Sequence, residues 1–268
     1  MDRVGLWINH SKPEAITLAG QITHWFAERG WDVYTDWEKI TAQGVGFLIS
    51  LGGDGTLLEA SREAAPYAIP VLGVNLGRLG FLCEIERNEI FDALEKITNH
   101  DYSIQERLML TATVNDADQT FDVLNDVVFL REPASAMVTL QANLTGEPSV
   151  SYPADGLIVS TPTGSTAYAL SAGGPIMSPN VEAILLTPLA AHSLSARPMV
   201  ISDQENIEIS LVRGEECIVS FDGYHRTAIK YGEKVVIKRA PINALLIRLG
   251  KRSFPRVVRE KLKDRWHE

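Results

Sequence analysis

The apolar residues of this chain change rhythm near Tyr102, and that change divides what the chain can fold into. Before it, short apolar runs alternate with amphipathic stretches, the pattern of a parallel sheet covered by helices. Val4 to Ile8 reads as a first strand. Pro13 suits a first helical turn, Ile16, Leu18, Ile22, Trp25 and Phe26 recur at near-helical spacing, and Gly30 is placed to cap the end. Trp31 to Tyr34, Val45 to Leu51 and Ile69 to Val74 read as further strands. The Ala- and Leu-rich stretch to Ala65 and the segment Glu89 to Ile97 read as helices. After Tyr102 the runs LTATV, FDVLNDVVFL, MVTLQANL, GLIVST, IEISLV, CIVSF and KVVIK suggest a largely antiparallel sandwich or barrel. One segment, TPTGSTAYALSAGG, interrupts them with an Ala-rich piece that reads as helical. The charged tail Pro255 to Trp266 is helix-compatible and can pack on either half.

The expected plan is therefore an α/β domain over residues 1–99, a β-rich domain over 100–250, and a tail, 251–268, that returns to the first domain. Its fold class is α/β plus all-β: a Rossmann-like N-terminal half and a β-sandwich C-terminal half.

Charge and composition exclude several classes. A net charge of -9 over 268 residues argues against a nucleic-acid surface, which needs clustered Lys and Arg. A single anionic ligand remains compatible, because backbone N–H groups and a bound cation hold phosphate without net basic charge. No apolar run approaches the roughly 20 residues that span a bilayer, and MDRVGLWINH lacks a basic flank and a signal-like apolar core, so a cytoplasmic protein is expected. Cys83 and Cys217 lie in apolar, strand-like neighbourhoods and read as buried free thiols rather than a disulfide or a metal pair. His10, His24, His100, His192, His225 and His267 are scattered, with no metal-ligand spacing.

Leu51-Gly52-Gly53-Asp54-Gly55-Thr56 follows an apolar strand and precedes a helix, the place of a phosphate-binding turn in an open α/β sheet. Its glycines let the backbone approach an anion, and Asp54 is displayed at the turn. By spacing alone, a tight loop whose Asp caps the next helix is an equal reading. With no Lys after the glycines it is not a Walker loop, nor does it match GxGxxG.

The second half carries a longer polar segment, Asp155 to Tyr168 and on through Ser171 to Pro175. Asp155 precedes an apolar strand and suits hydrogen bonds from ribose hydroxyls or an amide. Ser165 and Thr166 offer hydroxyls and a helix N-terminus for a pyrophosphate. Tyr168 offers a flat face for a ring. The plainer reading is a capped helix with Tyr168 in the core. Asn125 and Asp126 interrupt a β-forming run, costly if buried unpaired, or else they form a hairpin turn.

GGDGT is the signature of a kinase superfamily that includes NAD kinases, diacylglycerol and sphingoid lipid kinases and, more distantly, phosphofructokinases. The segment from Asp155 to Pro175 resembles the long NAD kinase motif almost letter for letter. Supporting matches are Asn9 with Lys12, GVNLGRLGFL from Gly73 to Leu82, Leu124-Asn125-Asp126, HSLSARP from His192 to Pro198, and Phe221-Asp222-Gly223. The resemblance covers nearly the whole chain.

It implies an enzyme that phosphorylates the 2'-hydroxyl of the adenosine ribose of NAD, using ATP with Mg²⁺ or another divalent cation. A ribose hydroxyl is a poor nucleophile, so a carboxylate that accepts its proton helps, and Asp54 is the candidate general base. The glycine turn, Gly52, Gly53, Gly55 and Thr56, would cradle the donor phosphates. Asn125 and Asp126 are implied to hold adenine and ribose, Asp155 the nicotinamide-ribose side, and Thr166, Ala167, Tyr168 and Ser171 to wall the site, with Asp54 and Gly55 also touching NAD. Asn75, Phe81, Ser165, Asp222 and Tyr224 are further candidate contacts. No protein metal site is implied. A homodimer or homotetramer is. The active site is expected between the two halves, where clefts at domain interfaces commonly form.

Three positions depart from the family pattern. Pro153 stands where members often carry a basic residue near the dinucleotide, Tyr224 where Gln or another polar residue follows Asp-Gly, and Glu59 where a basic residue is frequent. Each puts one ligand contact in doubt. The rival readings are a lipid kinase, which shares GGDGT but lacks the segment from Asp155 to Ser171, and a non-catalytic NAD sensor. A hydrolase using Ser165 lacks the GxSxG elbow.

Overall fold

The computed structural model describes residues 2–77, 80–115, 119–132, 136–145, 147–193, 196–250 and 252–262. The chain divides into two compact units, Met1–Glu106 with Ala244–Glu268, and Arg107–Asn243. The divisions fall inside two long strands, Ser103–Val114 and Lys234–Arg248, rather than at 99 and 250.

The first unit alternates strand and helix: β1 (Arg3–Ile8), α1 (Pro13–Ala27), β2 (Asp32–Tyr34), α2 (Trp37–Gln43), β3 (Phe47–Gly52), α3 (Asp54–Ala64), β4 (Val71–Asn75), β5 (Ile85–Glu86) and α4 (Ile90–Thr98). Its parallel strands run in the order β4-β3-β1-β2, with Leu6 beside Ile49 and Ile49 beside Leu72. β3 is buried on both faces, which is why it reads as an unbroken apolar run. Phe47, Ile49 and Leu51 pack with Leu18, Ile22 and Phe26 of α1 and Leu94 of α4, while Leu48 packs with Leu57, Ala60 and Ala64 of α3. The sequence pattern did not reveal α2, whose only buried residue is Ile40. It forms because the Asp36 carboxylate accepts the Lys39 N–H at 3.1 Å and Gly44, at φ 64°, ends it.

The second unit is built from β6 (Ser103–Val114), β7 (Thr120–Val123), β8 (Asp126–Arg131), β9 (Val138–Leu144), β10 (Glu147–Ala154), β11 (Gly156–Ser160), α5 (Tyr168–Ser171), β12 (Ala183–Leu189), β13 (Met199–Ser202), β14 (Ile207–Arg213), β15 (Glu216–Phe221), β16 (His225–Lys230) and β17 (Lys234–Arg248). One antiparallel sheet runs β13-β12-β11-β8-β15-β16, and a second runs β10-β9-β14-β17. Alternate residues of both meet in one core, with Phe129, Val159 and Val219 from the first and Leu140, Ile209 and Val235 from the second. The fold class is the expected one, an α/β unit and a sheet-rich sandwich.

Proline hid two strands. β10 carries Pro153 but is an edge strand, and β13 pairs only with Ala183–Leu186 of β12, so Pro188 faces no β13 partner. The Ala-rich helix expected after Ser165 shrinks to a 3₁₀ turn, Gly164–Thr166, and the single turn α5. Ala167 leaves helical geometry between them, and Gly173, at φ 84°, follows. Helix α6 (Phe254–Lys261) closes the described chain; the expected helical residues beyond 262 lie outside it. Cys83 and Cys217 are buried free thiols. Among the described residues no helix is long and apolar enough to cross a membrane.

Candidate active site

In the first unit the glycine turn joins β3 to α3, and Asp54 is the first residue of that helix. Its carboxylate does not cap α3. It accepts the N–H groups of Phe81 at 2.6 Å, Leu82 at 3.2 Å and Cys83 at 3.1 Å, so the capping reading fails. Phe81 enters the site through its backbone. Gly80 makes this approach feasible, since a Cβ there would lie 1.9 Å from Asp54 Oδ1. Gly52 has the same role toward Thr56, whose side chain would meet its Cβ at 2.2 Å, and Thr56 Oγ1 accepts from Asn9 Nδ2 at 3.1 Å. At Gly53 and Gly55 an added Cβ meets nothing within 4 Å, so the turn is open on its outer side. Asn75 is buried, braces the next loop by Nδ2 to the Gly77 carbonyl at 2.9 Å, and lines a groove of about 800 Å³ with Glu14, Glu86 and Arg87. Within GVNLGRLGFL, Arg78 and Leu79 lie outside the described residues.

In the second unit Asn125 and Asp126 do not form a hairpin. β7 pairs with β6, whereas β8 pairs with β11 and β15, so Leu124-Asn125 is a corner between sheets. Asp222 holds that corner. One carboxylate oxygen accepts the Leu124 N–H at 2.9 Å, and the other accepts those of Asn125 at 2.8 Å and Asp126 at 3.1 Å. The local sequence explains its position: Asp222-Gly223, with φ 50° and 70°, has the φ pattern of a type I′ turn joining β15 to β16, closed by Tyr224 N–H to the Phe221 carbonyl at 3.0 Å. Gly164 abuts the same corner, where a Cβ would fall 2.1 Å from the Asn125 carbonyl oxygen. Asp126 is 5% exposed, and burial together with the charge of Asp222 pushes its carboxyl up to about 7.

Two cavities share the wall formed by Leu130, Arg131 and Tyr168. The first, about 490 Å³, is lined by Asn125, Asp126, Ala167, Asp222 and Arg226; the second, about 520 Å³, by Asp155 and Ser171. Tyr168 is 43% exposed, so the reading that buried it in the core fails. Arg131 is the residue that sequence reasoning missed. Its Nε donates to Asp155 Oδ1 at 2.6 Å, which supplies beside Asp155 the positive charge that Pro153 withholds. The only signal was a lone Arg ending the run VVFLR.

Other candidates stand elsewhere. Ser165 is fully buried, its hydroxyl donating to the Pro162 carbonyl at 2.7 Å and accepting the Met177 N–H at 3.0 Å. Thr166 lines neither cavity and donates to the Thr163 carbonyl at 3.1 Å. Tyr224 is exposed, stacks edge-on against His225 and lines neither cavity. Glu59 is half-buried on α3. In HSLSARP, Leu194 and Ser195 lie outside the described residues.

Comparison with known proteins gives this arrangement a family. Residues 32–102 match the model of the ATP-NAD kinase N-terminal domain and residues 124–249 that of the ATP-NAD kinase C-terminal domain. The chain is 40% identical over 281 residues to an NAD kinase of Heliobacterium modesticaldum, covering 98% of this chain and 99% of that one. It is 40% identical to an NAD kinase of Moorella thermoacetica, covering 98% and 90%. Among solved structures, a yeast NADH kinase complexed with NADH shares the fold at TM-score 0.81 and 24% identity, covering 97% of this chain and 86% of that one. An Archaeoglobus fulgidus NAD kinase in complex with ATP aligns at TM-score 0.77 and 25% identity, covering 96% and 98%. With both domain models matched and near-complete relatives at this identity, the chain belongs to the NAD kinase family.

Proposed function

We propose that this chain transfers a phosphoryl group from ATP to the 2'-hydroxyl of the adenosine ribose of NAD, giving NADP. The observation that carries the reading is the pair of cavities sharing Arg131 and Tyr168, one walled by Asn125 and Asp126 and the other by Asp155. A dinucleotide is two ring-and-sugar halves joined by a pyrophosphate, and two cavities with a cation and an aromatic face in their common wall suit it.

Asp54 takes the proton of the attacking hydroxyl in this proposal. A carboxylate offers about four acceptor sites. Amides 81–83 fill three, which leaves room for one hydroxyl and fixes the side chain's direction. The open side of Gly53 and Gly55 and the first N–H groups of α3 would receive the donor phosphates. A divalent cation accompanying ATP would be carried mainly on phosphate oxygens and waters, with few protein ligands. Such a cation would neutralise phosphate charge. Assembly as a homodimer or homotetramer belongs to the same proposal, and sedimentation equilibrium reads it directly.

The test is to incubate the pure protein with NAD, ATP and Mg²⁺ and to couple the product to an NADP-specific dehydrogenase. NADP formation is expected. Phosphorylation of diacylglycerol instead, or NAD binding without turnover under varied donors, overturns the proposal in favour of a lipid kinase or a sensor.

A further inference from the structure

The mechanism above leaves one buried ionisable group without a task. Asp126 lines the 490 Å³ cavity and is 5% exposed, and among the described residues its side chain makes no hydrogen bond, whereas the neighbouring Asp222 carboxylate binds three amides. A buried carboxyl with no partner is costly unless it is neutral or a ligand completes it. Three N–H donors converging on Asp222 are the arrangement for an anion. Two like charges side by side resist coexistence, so the ionised form of the pair is assigned by geometry to Asp222.

We propose that Asp126 meets the bound dinucleotide as a neutral acid and donates a hydrogen bond to it, and that Asp222 is a positioning residue that holds the 124–126 corner and keeps Asp126 protonated. The inference rests on the reading of this cavity as an NAD site. The recipient is a ring nitrogen or the ether oxygen of a sugar ring of the ligand, an acceptor without a hydrogen that an ionised carboxylate would repel. The titratable groups that line the same cavity as Asp126 are Asp222 from the turn, Arg226 from β16, Arg131 from β8 and Tyr168 from α5, of which Asp222 acts on its charge; Ser160, beside it on β11, carries no charge. Burial is the first cause that raises the carboxyl to about 7 and Asp222 the second; Arg131 is engaged with Asp155.

Calorimetric titration of the whole protein with NAD, without a phosphoryl donor, tests this. Above about pH 7 the wild-type apparent Kd is expected to rise about tenfold per pH unit, with uptake of a proton on binding that shows as a dependence of the heat on the buffer's ionisation enthalpy. Asp126→Asn, whose amide donates at every pH, is expected to hold a flat profile near the acid-limb affinity and to take up no proton. Asp222→Asn should move the inflection to lower pH and weaken binding. If that variant does not fold, the comparison of Asp126→Asn with wild type decides alone. A wild-type Kd that is the same at about pH 6 and about pH 8.5, an Asp126→Asn profile as steep as wild type, or no NAD binding at any pH overturns the inference. The two readings fail separately: NADP formation with a flat profile sinks only the inference, and the predicted profile without turnover sinks only the kinase.

Discussion

The Phe81 amide donates to the Asp54 carboxylate at 2.6 Å, the shortest of three bonds by which the chain from Phe81 to Cys83 aims the one acidic side chain of the glycine turn. An amide side chain in place of that carboxylate turns an NH₂ group toward N–H donors. Asp54→Asn is therefore expected to lose about 10²–10⁴ in kcat, the share of a general base, and to lower Tm as well. The coupled NADP assay and a thermal melt read the two effects. A variant that keeps full turnover removes Asp54 from the chemistry.

Gly80→Ala tests the aim without touching the acid. Its Cβ would stand 1.9 Å from Asp54 Oδ1, so the carboxylate or the loop must move. Loss of kcat of about tenfold or more is expected, because small misplacements of a reacting group are costly. Gly20→Ala is the control: nothing lies within 4 Å of its Cβ inside α1, and it should raise stability by about 0.5–1 kcal/mol with activity unchanged.

Asp126 also makes stability depend on pH, with a sign that can be worked out. Its folded value, about 7, lies above the ordinary 3.8. Below about pH 4 folded and unfolded chains both hold the proton; as the pH rises the unfolded chain releases it first. The stability contributed is complete below about pH 4 and is lost up to about pH 7, at about 1.4 kcal/mol per pH unit. Urea melts of wild type and Asp126→Asn should diverge across that window, the variant gaining relative stability, and run parallel above it. Equal slopes throughout would show that Asp126 ionises normally.

Arg131 separates binding from folding. It and Asp155 are 28% and 41% exposed, so their ion pair contributes little to stability, at most about 1 kcal/mol. Facing both cavities, the same guanidinium is placed to meet ligand oxygens. Arg131→Met should raise KM for NAD about tenfold while Tm barely moves. A large fall in Tm with unchanged KM would make it a structural brace instead.

How much of this was legible depends on whether the cause was local. The strands of the first unit and the helix after GGDGT follow from apolar runs and periodicity, so Val4–Ile8 and the stretch to Ala65 appear within a few residues of the observed elements. The strand Ala183–Leu189 escaped because Pro188 signals a break, and only the short reach of its neighbour makes the proline harmless. Asp54, Asn125, Asp126, Asp155 and Tyr168 were readable as polar or aromatic residues at turns and strand ends. That Asp222 serves the 124–126 corner, and Arg131 serves Asp155, was not, because each partner lies more than twenty residues away and arrives only through sheet pairing. Ser165 shows the converse: a hydroxyl in a promising motif is consumed by the chain itself.

Arg248 supports the loop that orients Asp54, and its removal should be felt in folding first. Glu84, 1% exposed, accepts from Arg248 Nη1 at 2.9 Å and from the Leu249 N–H at 2.9 Å, while the same guanidinium nitrogen donates to the Leu82 carbonyl at 3.2 Å. Leu82 is one of the residues whose amide binds Asp54. Arg248→Met strands a buried carboxylate, and breaking a buried pair in this way costs about 3–5 kcal/mol. Replacing both partners with apolar residues removes the stranded charge, so Arg248→Met with Glu84→Leu should recover much of that loss in urea denaturation. Turnover should not recover in step, because the Leu82 carbonyl still lacks its donor and the amides that hold Asp54 are less firmly placed. Full recovery of both would mean that Arg248 matters to Glu84 alone.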